Sequence, residues 1–156
     1  MKILVIGCGK AGLTAMAVAR RRLKGMQINA ADYCEHQLFL AQRLGYADHY
    51  WQMDASDAEQ VYEFTKRIGF DLVVNCVNAP NTETGSIIAA RPGGTVIFFS
   101  MATAFDKAAL GTDATGKDVT MIIGNGVAEG QAEKMFALLR VDAKLRKYFE
   151  NLHGGE

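Results

Sequence analysis

Gly7-Cys8-Gly9-Lys10-Ala11-Gly12 reads G-x-G-x-x-G, and Asp32 follows Gly12 by twenty residues. Residues of these types at this spacing can do one kind of chemistry, the cradling of a pyrophosphate by backbone. Gly7 permits a sharp turn, Gly9 lets the main chain approach the phosphates without a Cβ in the way, and Gly12 lets a helix pack close to the preceding strand. Backbone N–H groups near Lys10, Ala11 and Leu13 would lie at the positive end of a helix, where an anion is stabilised. The Asp32 carboxylate can accept hydrogen bonds from both hydroxyls of an adenosine ribose. It would repel a 2′-phosphate, and Tyr33–Gln42 contains no Arg or Lys to hold one. The spacing therefore predicts a dinucleotide site that takes NAD in preference to NADP.

The glycine pattern alone is weak in a chain with 16 Gly. Its setting gives it weight. Lys2–Ile6 (KILVI) is a buried strand, and Ala11–Lys24 has helical period through Leu13, Met16, Ala19 and Leu23. Gln27–Ala31 is a second strand ending at Asp32. Methyltransferases also carry an acidic residue after the second strand, but their glycine loop usually follows an acidic residue and is less helix-like. A glycine turn that binds nothing is the remaining alternative.

Further along, Glu35–Leu44 is helical and stops at Gly45, a residue suited to the left-handed position past a helix end. Asp48–Gln52 is a weak third strand. Ser56-Asp57-Ala58-Glu59 has the form of a capping box, opening a helix with Ala58, Val61, Thr65 and Ile68 on one face. Asp71–Cys76 is the fourth strand. A helix capped by Asn81 or Thr82 runs to about Ala90, where Pro92-Gly93-Gly94 ends it. Thr95–Phe99 and Val119–Ile123 are the fifth and sixth strands. Between them Thr103–Leu110 is expected to be helical and Gly111–Lys117 a polar loop. Helices at about Ala128–Leu139, burying Ala132, Met135, Phe136 and Leu139, and at Ala143–Asn151 close the chain. Strands this apolar, alternating with helices, predict an α/β fold. It is a Rossmann-type doubly wound parallel sheet of six strands in the order 3-2-1-4-5-6, with helices on both faces.

The carboxyl ends of strands four and five are where such sheets bind ligands. Asn75, Cys76, Val77 and Asn78 at the one and Ser100 and Met101 at the other are candidate nicotinamide-side contacts, with helix capping as the competing role. Tyr33 joins the adenosine side by its place after Asp32. Tyr62 and Lys66 match the Tyr/Lys pair of short-chain dehydrogenases but come too early in the chain and sit on a packing helix. His36, His49 and His153 have no zinc-ligand spacing, and no metal site is expected. Arg20-Arg21-Arg22 reads as a solvated cluster complementing the end of its helix. Cys8 lies at a helix N-terminus, an environment that lowers a thiol pKa, although a small residue filling the turn is the simpler role.

Composition narrows the partners. The 156 residues suit one domain, expected to span 1–156, and 17 Lys+Arg balance 17 Asp+Glu. No net field favours nucleic acid or an anionic membrane. The apolar runs are strand-sized, so no membrane span is expected. Cys8, Cys34 and Cys76 are odd in number and lack CxxC spacing, which points to a reducing cytoplasm.

The segments VIGCGKAGLTAMAVAR, AADYCEHQLFLAQRLGYADHY and FDLVVNCVNAPNTETGSIIAARPGGTVIFFS together resemble the cofactor half of medium-chain dehydrogenases related to zinc alcohol dehydrogenases. The likeness covers about residues 2–100, and its tail is similar to an amine-oxidising branch. It implies an NAD-dependent oxidoreductase performing oxidative deamination in the complete enzyme. That family carries its substrate pocket, and zinc where present, largely in a catalytic domain preceding the cofactor domain. This chain opens on the first cofactor-domain strand, so a missing catalytic domain or subunit is expected, no catalytic residue can be carried over, and the isolated chain should be inactive. A stand-alone NAD(H)-sensing module is the alternative. The sixth strand should be an unprotected apolar edge. The resemblance implies a homodimer formed edge to edge through Val119–Ile123, with Met121 near the two-fold axis; coverage of that edge by the final helices is the alternative.

Overall fold

The computed structural model describes residues 1–66, 68–124 and 126–154. Six strands, β1 (Lys2–Ile6), β2 (Gln27–Asp32), β3 (His49–Gln52), β4 (Phe70–Asn75), β5 (Ala90–Phe98) and β6 (Thr120–Ile123), form one sheet in the order β3-β2-β1-β4-β5-β6. Every pairing is parallel. The helices are α1 (Lys10–Arg22), α2 (Glu35–Leu44), α3 (Ala58–Thr65), α4 (Glu83–Ala89), α5 (Phe105–Thr115), α6 (Gln131–Val141) and α7 (Ala143–His153). This is the doubly wound Rossmann arrangement that the alternation of apolar strands and helices predicts. β1 is the central strand, with Ile3, Leu4, Val5 and Ile6 all fully buried. A continuous core joins Leu4 and Ile6 to Phe70, Val73, Ile87, Val96 and Phe98.

Residues 1–125 and 126–156 are separate compact units. In the second, Asp142 caps α7 by accepting from Leu145 N–H at 3.0 Å. The expected burial of Ala132, Met135, Phe136 and Leu139 does not occur: α6 has no buried residue, and Phe136 is 60% exposed. Helical period marks an apolar stripe without fixing how deeply it is buried.

Four further expectations are corrected, each by a contact distant in sequence or by a stronger competing group. The cap of α3 is Asp57, whose carboxylate accepts from Gln60 N–H at 3.0 Å, while Ser56 Oγ donates to Asp54 at 2.6 Å. A carboxylate is the stronger acceptor, so the capping box does not form. Pro92-Gly93-Gly94 does not end α4 but lies inside β5, next to a register shift in its pairing with β4. Gly111 does not begin a loop. It lies inside α5, where a Cβ would stand 2.9 Å from Ile87 Cδ1, so glycine allows α5 to close on α4. Arg20 is not simply solvated: its Nε donates to Tyr46 O at 2.9 Å and its guanidinium pairs with Asp48 at 2.9 Å.

Candidate dinucleotide-binding site

β1 and β4 are neighbours in the sheet, although two further strands separate them in sequence, so the chain switches direction between them. A crevice opens at the carboxyl ends of strands at such a point. The ladders continue past the strand ends and fix its walls. Gly7 N–H donates to Ala31 O, Cys76 N–H to Ile6 O and Phe99 N–H to Asn75 O, each at 2.8 Å. Gly7 is in the left-handed region (φ 97°), and a Cβ there would meet the Cys76 carbonyl carbon and Val77 N at 3.1 Å. Cys76 and Val77 therefore press directly on the glycine turn.

The three glycines play different parts. A Cβ on Gly12 would lie 1.7 Å from Gly7 O, which no side chain can tolerate. A Cβ on Gly9 would meet nothing within 4 Å, so its open side is free for an incoming group. Gly9 is also the cap of α1 without any side-chain bond, and the first bond within the helix is Leu13 N–H to Gly9 O at 2.9 Å. The N–H groups of Lys10, Ala11 and Gly12 thus belong to the free end of the helix, where they can donate to an anion. A cradle with an open glycine and converging N–H donors fits the pyrophosphate of a dinucleotide.

Asp32 ends β2 beside this turn. Its Oδ2 accepts from Cys8 N–H at 2.6 Å and its Oδ1 from Cys34 N–H at 2.8 Å. Each oxygen keeps a second lone pair for a ribose hydroxyl. Gln52, opposite Asp32 in register, supports this corner by donating from Nε2 to Tyr33 O at 3.2 Å, a contact that no local motif announces. Tyr33 itself is 72% exposed.

Cys8 takes the simpler of its two roles, a small residue filling the turn, and the lowering that a helix N-terminus favours does not occur. The side chain turns into the core, with Sγ 3.8 Å from Ala31 O. Burial, followed by the Asp32 carboxylate and Cys76, pushes its pKa up to about 12. Burial does the same to Cys76, to about 12.

On the other side of the crevice, Asn75 is buried and its side chain is fully used. Nδ2 donates to Thr82 Oγ1 and Ser86 Oγ, each at 2.9 Å, and Oδ1 accepts from Val77 N–H at 2.9 Å. Asn75 therefore shapes the turn that carries Cys76, Val77 and the exposed Asn78. Ser100 organises its own loop by accepting from Ala102 N–H at 3.1 Å, and Met101 is 84% exposed. The structure gathers Gly7, Gly9, Lys10, Ala11, Gly12, Asp32, Cys76 and Val77 around one turn. Ser100 and Met101 stand on the separate loop that follows β5. The Tyr62–Lys66 pair is not assembled for catalysis: Lys66 is ion-paired with Glu63, and Tyr62 is 56% exposed.

Fold and cradle together define a dinucleotide-binding α/β domain. The sequence profile of the zinc-binding dehydrogenases matches residues 11–141, and the chain belongs to that family. Its site is accordingly one for a nicotinamide dinucleotide. Over 84 residues, 54% of this chain and 24% of the relative, it is 54% identical to L-erythro-3,5-diaminohexanoate dehydrogenase of Acetoanaerobium sticklandii. The enzyme of that name from Fusobacterium nucleatum is 43% identical over 101 residues, 65% of this chain and 27% of the relative. The matched stretch is thus about a quarter of the length of these curated relatives. Among solved structures, S. aureus TarJ in complex with NADPH superposes with a TM-score of 0.67 at 13% identity, covering 93% of this chain and 44% of that one. A Clostridium scindens zinc-binding dehydrogenase (gutB) gives 0.67 at 21% identity, covering 99% and 47%.

The family name implies zinc, but the residues present do not fit it. Among the described residues no group of three or more His, Cys, Asp or Glu could hold a metal ion. No helix among the described residues is long and apolar enough to cross a membrane.

Proposed function

We propose that this chain is the NAD(H)-binding domain of an oxidoreductase that, when complete, oxidatively deaminates L-erythro-3,5-diaminohexanoate, a reaction of lysine fermentation. The observation that carries the reading is the Asp32 carboxylate, bonded to Cys8 N–H of the glycine loop and facing the place of an adenosine ribose. The 54% identity to the enzyme of that name supports the substrate. A bound nicotinamide supplies a hydride acceptor. The protein's part is to bind and orient: Gly9 admits the pyrophosphate, the N–H groups of Lys10, Ala11 and Gly12 donate to it, and Asp32 accepts from the ribose and disfavours a 2′-phosphate. Tyr33 flanks the adenosine, while Cys76, Val77, Asn78, Ser100 and Met101 border the nicotinamide half. The amine-bearing carbon gives up a hydride to the nicotinamide, and water hydrolyses the resulting imine to a 3-oxo amino acid and ammonia, with proton transfer assigned to groups in the catalytic domain or subunit that completes the enzyme. We infer that the isolated chain binds cofactor without turnover. A reducing cytoplasm suits its three free thiols.

We also propose a homodimer through β6. Gly124 N–H donates to Phe98 O at 3.3 Å. By the alternation of a strand, Thr120 and Ile122 then bond to β5, while the N–H groups of Met121 and Ile123 face outward. Two such edges meeting about a two-fold axis would join two sheets into one.

The test of the reaction is NADH formation from L-erythro-3,5-diaminohexanoate, followed by absorbance, with the complete enzyme and with this chain alone. Turnover by the complete enzyme and none by the chain is expected. Turnover by the chain alone would show that it holds a proton-transfer group of its own. Binding of NAD with no turnover by the complete protein would select the sensing module instead.

A further inference from the structure

Glu83 opens α4 and is 2% exposed, an uncommon position for a carboxylate. Its Oε1 accepts from Ala104 N–H at 2.8 Å, twenty-one residues away, and its Oε2 is buried without a hydrogen-bond partner. Leaving a carboxylate oxygen buried and unpaired costs stability. The residue is therefore poorly explained as a stabilising element, and a role in fixing Ala104 explains it better.

Ala104 is the cap of α5 and the end of the loop that leaves β5. The start of that loop is fixed by Phe99 N–H on Asn75 O. Its middle is bonded within the loop itself, through Ser100 Oγ on Ala102 N–H and Ser100 O on Thr103 N–H at 3.3 Å. Glu83 Oε1 is the anchor at its far end. Lys107 also reaches back, to Asn81 Oδ1, but that contact is exposed and therefore weak. The Asn75–Thr82–Ser86 network fixes the start of the same helix, so the turns after β4 and β5 are held as one body.

We infer that Glu83 is a positioning residue for the nicotinamide half of the site, holding the 100–104 loop in place through Ala104 N–H. This rests on the reading of the crevice as a dinucleotide site. The glycine turn and Asp32 are held by other bonds, Gly7 N–H on Ala31 O and Cys8 N–H on Asp32 Oδ2, so the adenosine and pyrophosphate half should not depend on Glu83.

The test compares two ligands on the full chain, NADH and ADP-ribose, which lacks the nicotinamide ring. Glu83→Met removes the acceptor and the unpaired oxygen while filling similar volume, and leaves Ala104 N–H without its acceptor. Glu83→Gln keeps a carbonyl oxygen for Ala104. Glu83→Met should weaken NADH about tenfold, equivalent to about 1.4 kcal/mol, and leave ADP-ribose within about twofold of wild type. Glu83→Gln should restore NADH binding, and Lys107→Ala should change neither ligand. Ala104→Pro removes the donor from the other side and should reproduce the Glu83→Met pattern if that variant does not fold. Equal weakening of both ligands, or no weakening of either, overturns the role of Glu83. A wild-type chain that binds neither ligand overturns instead the dinucleotide reading beneath it.

Discussion

Gly9 and Gly12 belong to one motif, yet substitution at each should fail for a different reason. In Gly12→Ala the new methyl would sit 1.7 Å from Gly7 O, and α1 must move by about 1.3 Å to bring that contact even to 3.0 Å. The obstacle is main chain, itself held by Gly7 N–H on Ala31 O, so no rotamer relieves it. Overpacking costs about 1–3 kcal/mol when side chains can adjust; here the cost should reach about 3 kcal/mol or more. For a chain of this length that lowers Tm by about 6–12 °C. Gly9 has φ −76° and ψ −165°, extended backbone open to any residue, and no atom lies within 4 Å of its Cβ position. Gly9→Val should therefore cost only the difference between Gly and Val at a helix cap, about 1 kcal/mol. Its side chain occupies the space left for pyrophosphate, so NAD affinity should fall by at least about 100-fold, or about 2.7 kcal/mol. Thermal unfolding followed by circular dichroism, paired with calorimetric titration of NAD, separates the two variants. A Gly9→Val chain that binds NAD within about threefold of wild type would refute the placement of the pyrophosphate. A Gly12→Ala chain with unchanged Tm would refute the packing argument.

Asp32→Ala removes the acceptor of Cys8 and Cys34 N–H as well as the ribose contact, and should weaken NAD about 10- to 100-fold while narrowing its advantage over NADP. Undiminished discrimination in a titration would show that another residue sets it. With pKa values pushed up to about 12, Cys8 and Cys76 expose almost no thiolate at pH 8, whereas Cys34 is exposed. A thiol reagent should therefore label Cys34 in the folded protein and all three cysteines after unfolding; because thiolate increases as pH rises toward those values, protection should weaken only at strongly alkaline pH. Met121→Pro removes an outward N–H and spares the bonds to β5, so it should convert a dimer to a folded monomer by sedimentation equilibrium. A monomeric wild type, or a proline variant that still dimerises, contradicts the β6 interface.

What the sequence carried well was periodic or local. β1 and α2 have the bounds that their residues predict, and Gly45 takes the left-handed position (φ 72°) expected past α2. The strand order follows from crossover handedness and the glycine turn. What it carried poorly depends on neighbours far along the chain. Gly111 reads as a break until Ile87 is known to lie against it, and Pro92-Gly93-Gly94 reads as a stop although the β4 ladder is only interrupted there, between Ala90 and Thr95, and Gly93 N–H bonds to Asp118 O. Cys8 shows the same limit within the site, since its place in the motif says nothing of which way the thiol turns. Glu83 gives no signal at all, because its partner Ala104 is an ordinary backbone N–H in a distant loop.

Asp32 makes the choice of cofactor, the property on which the function of the site turns. Calorimetric titration of the wild-type chain with NAD and with NADP measures it without any catalytic domain. One site per chain with a clear preference for NAD, by about tenfold or more, is the expected result. Equal affinity, a preference for NADP, or binding of neither would contradict it.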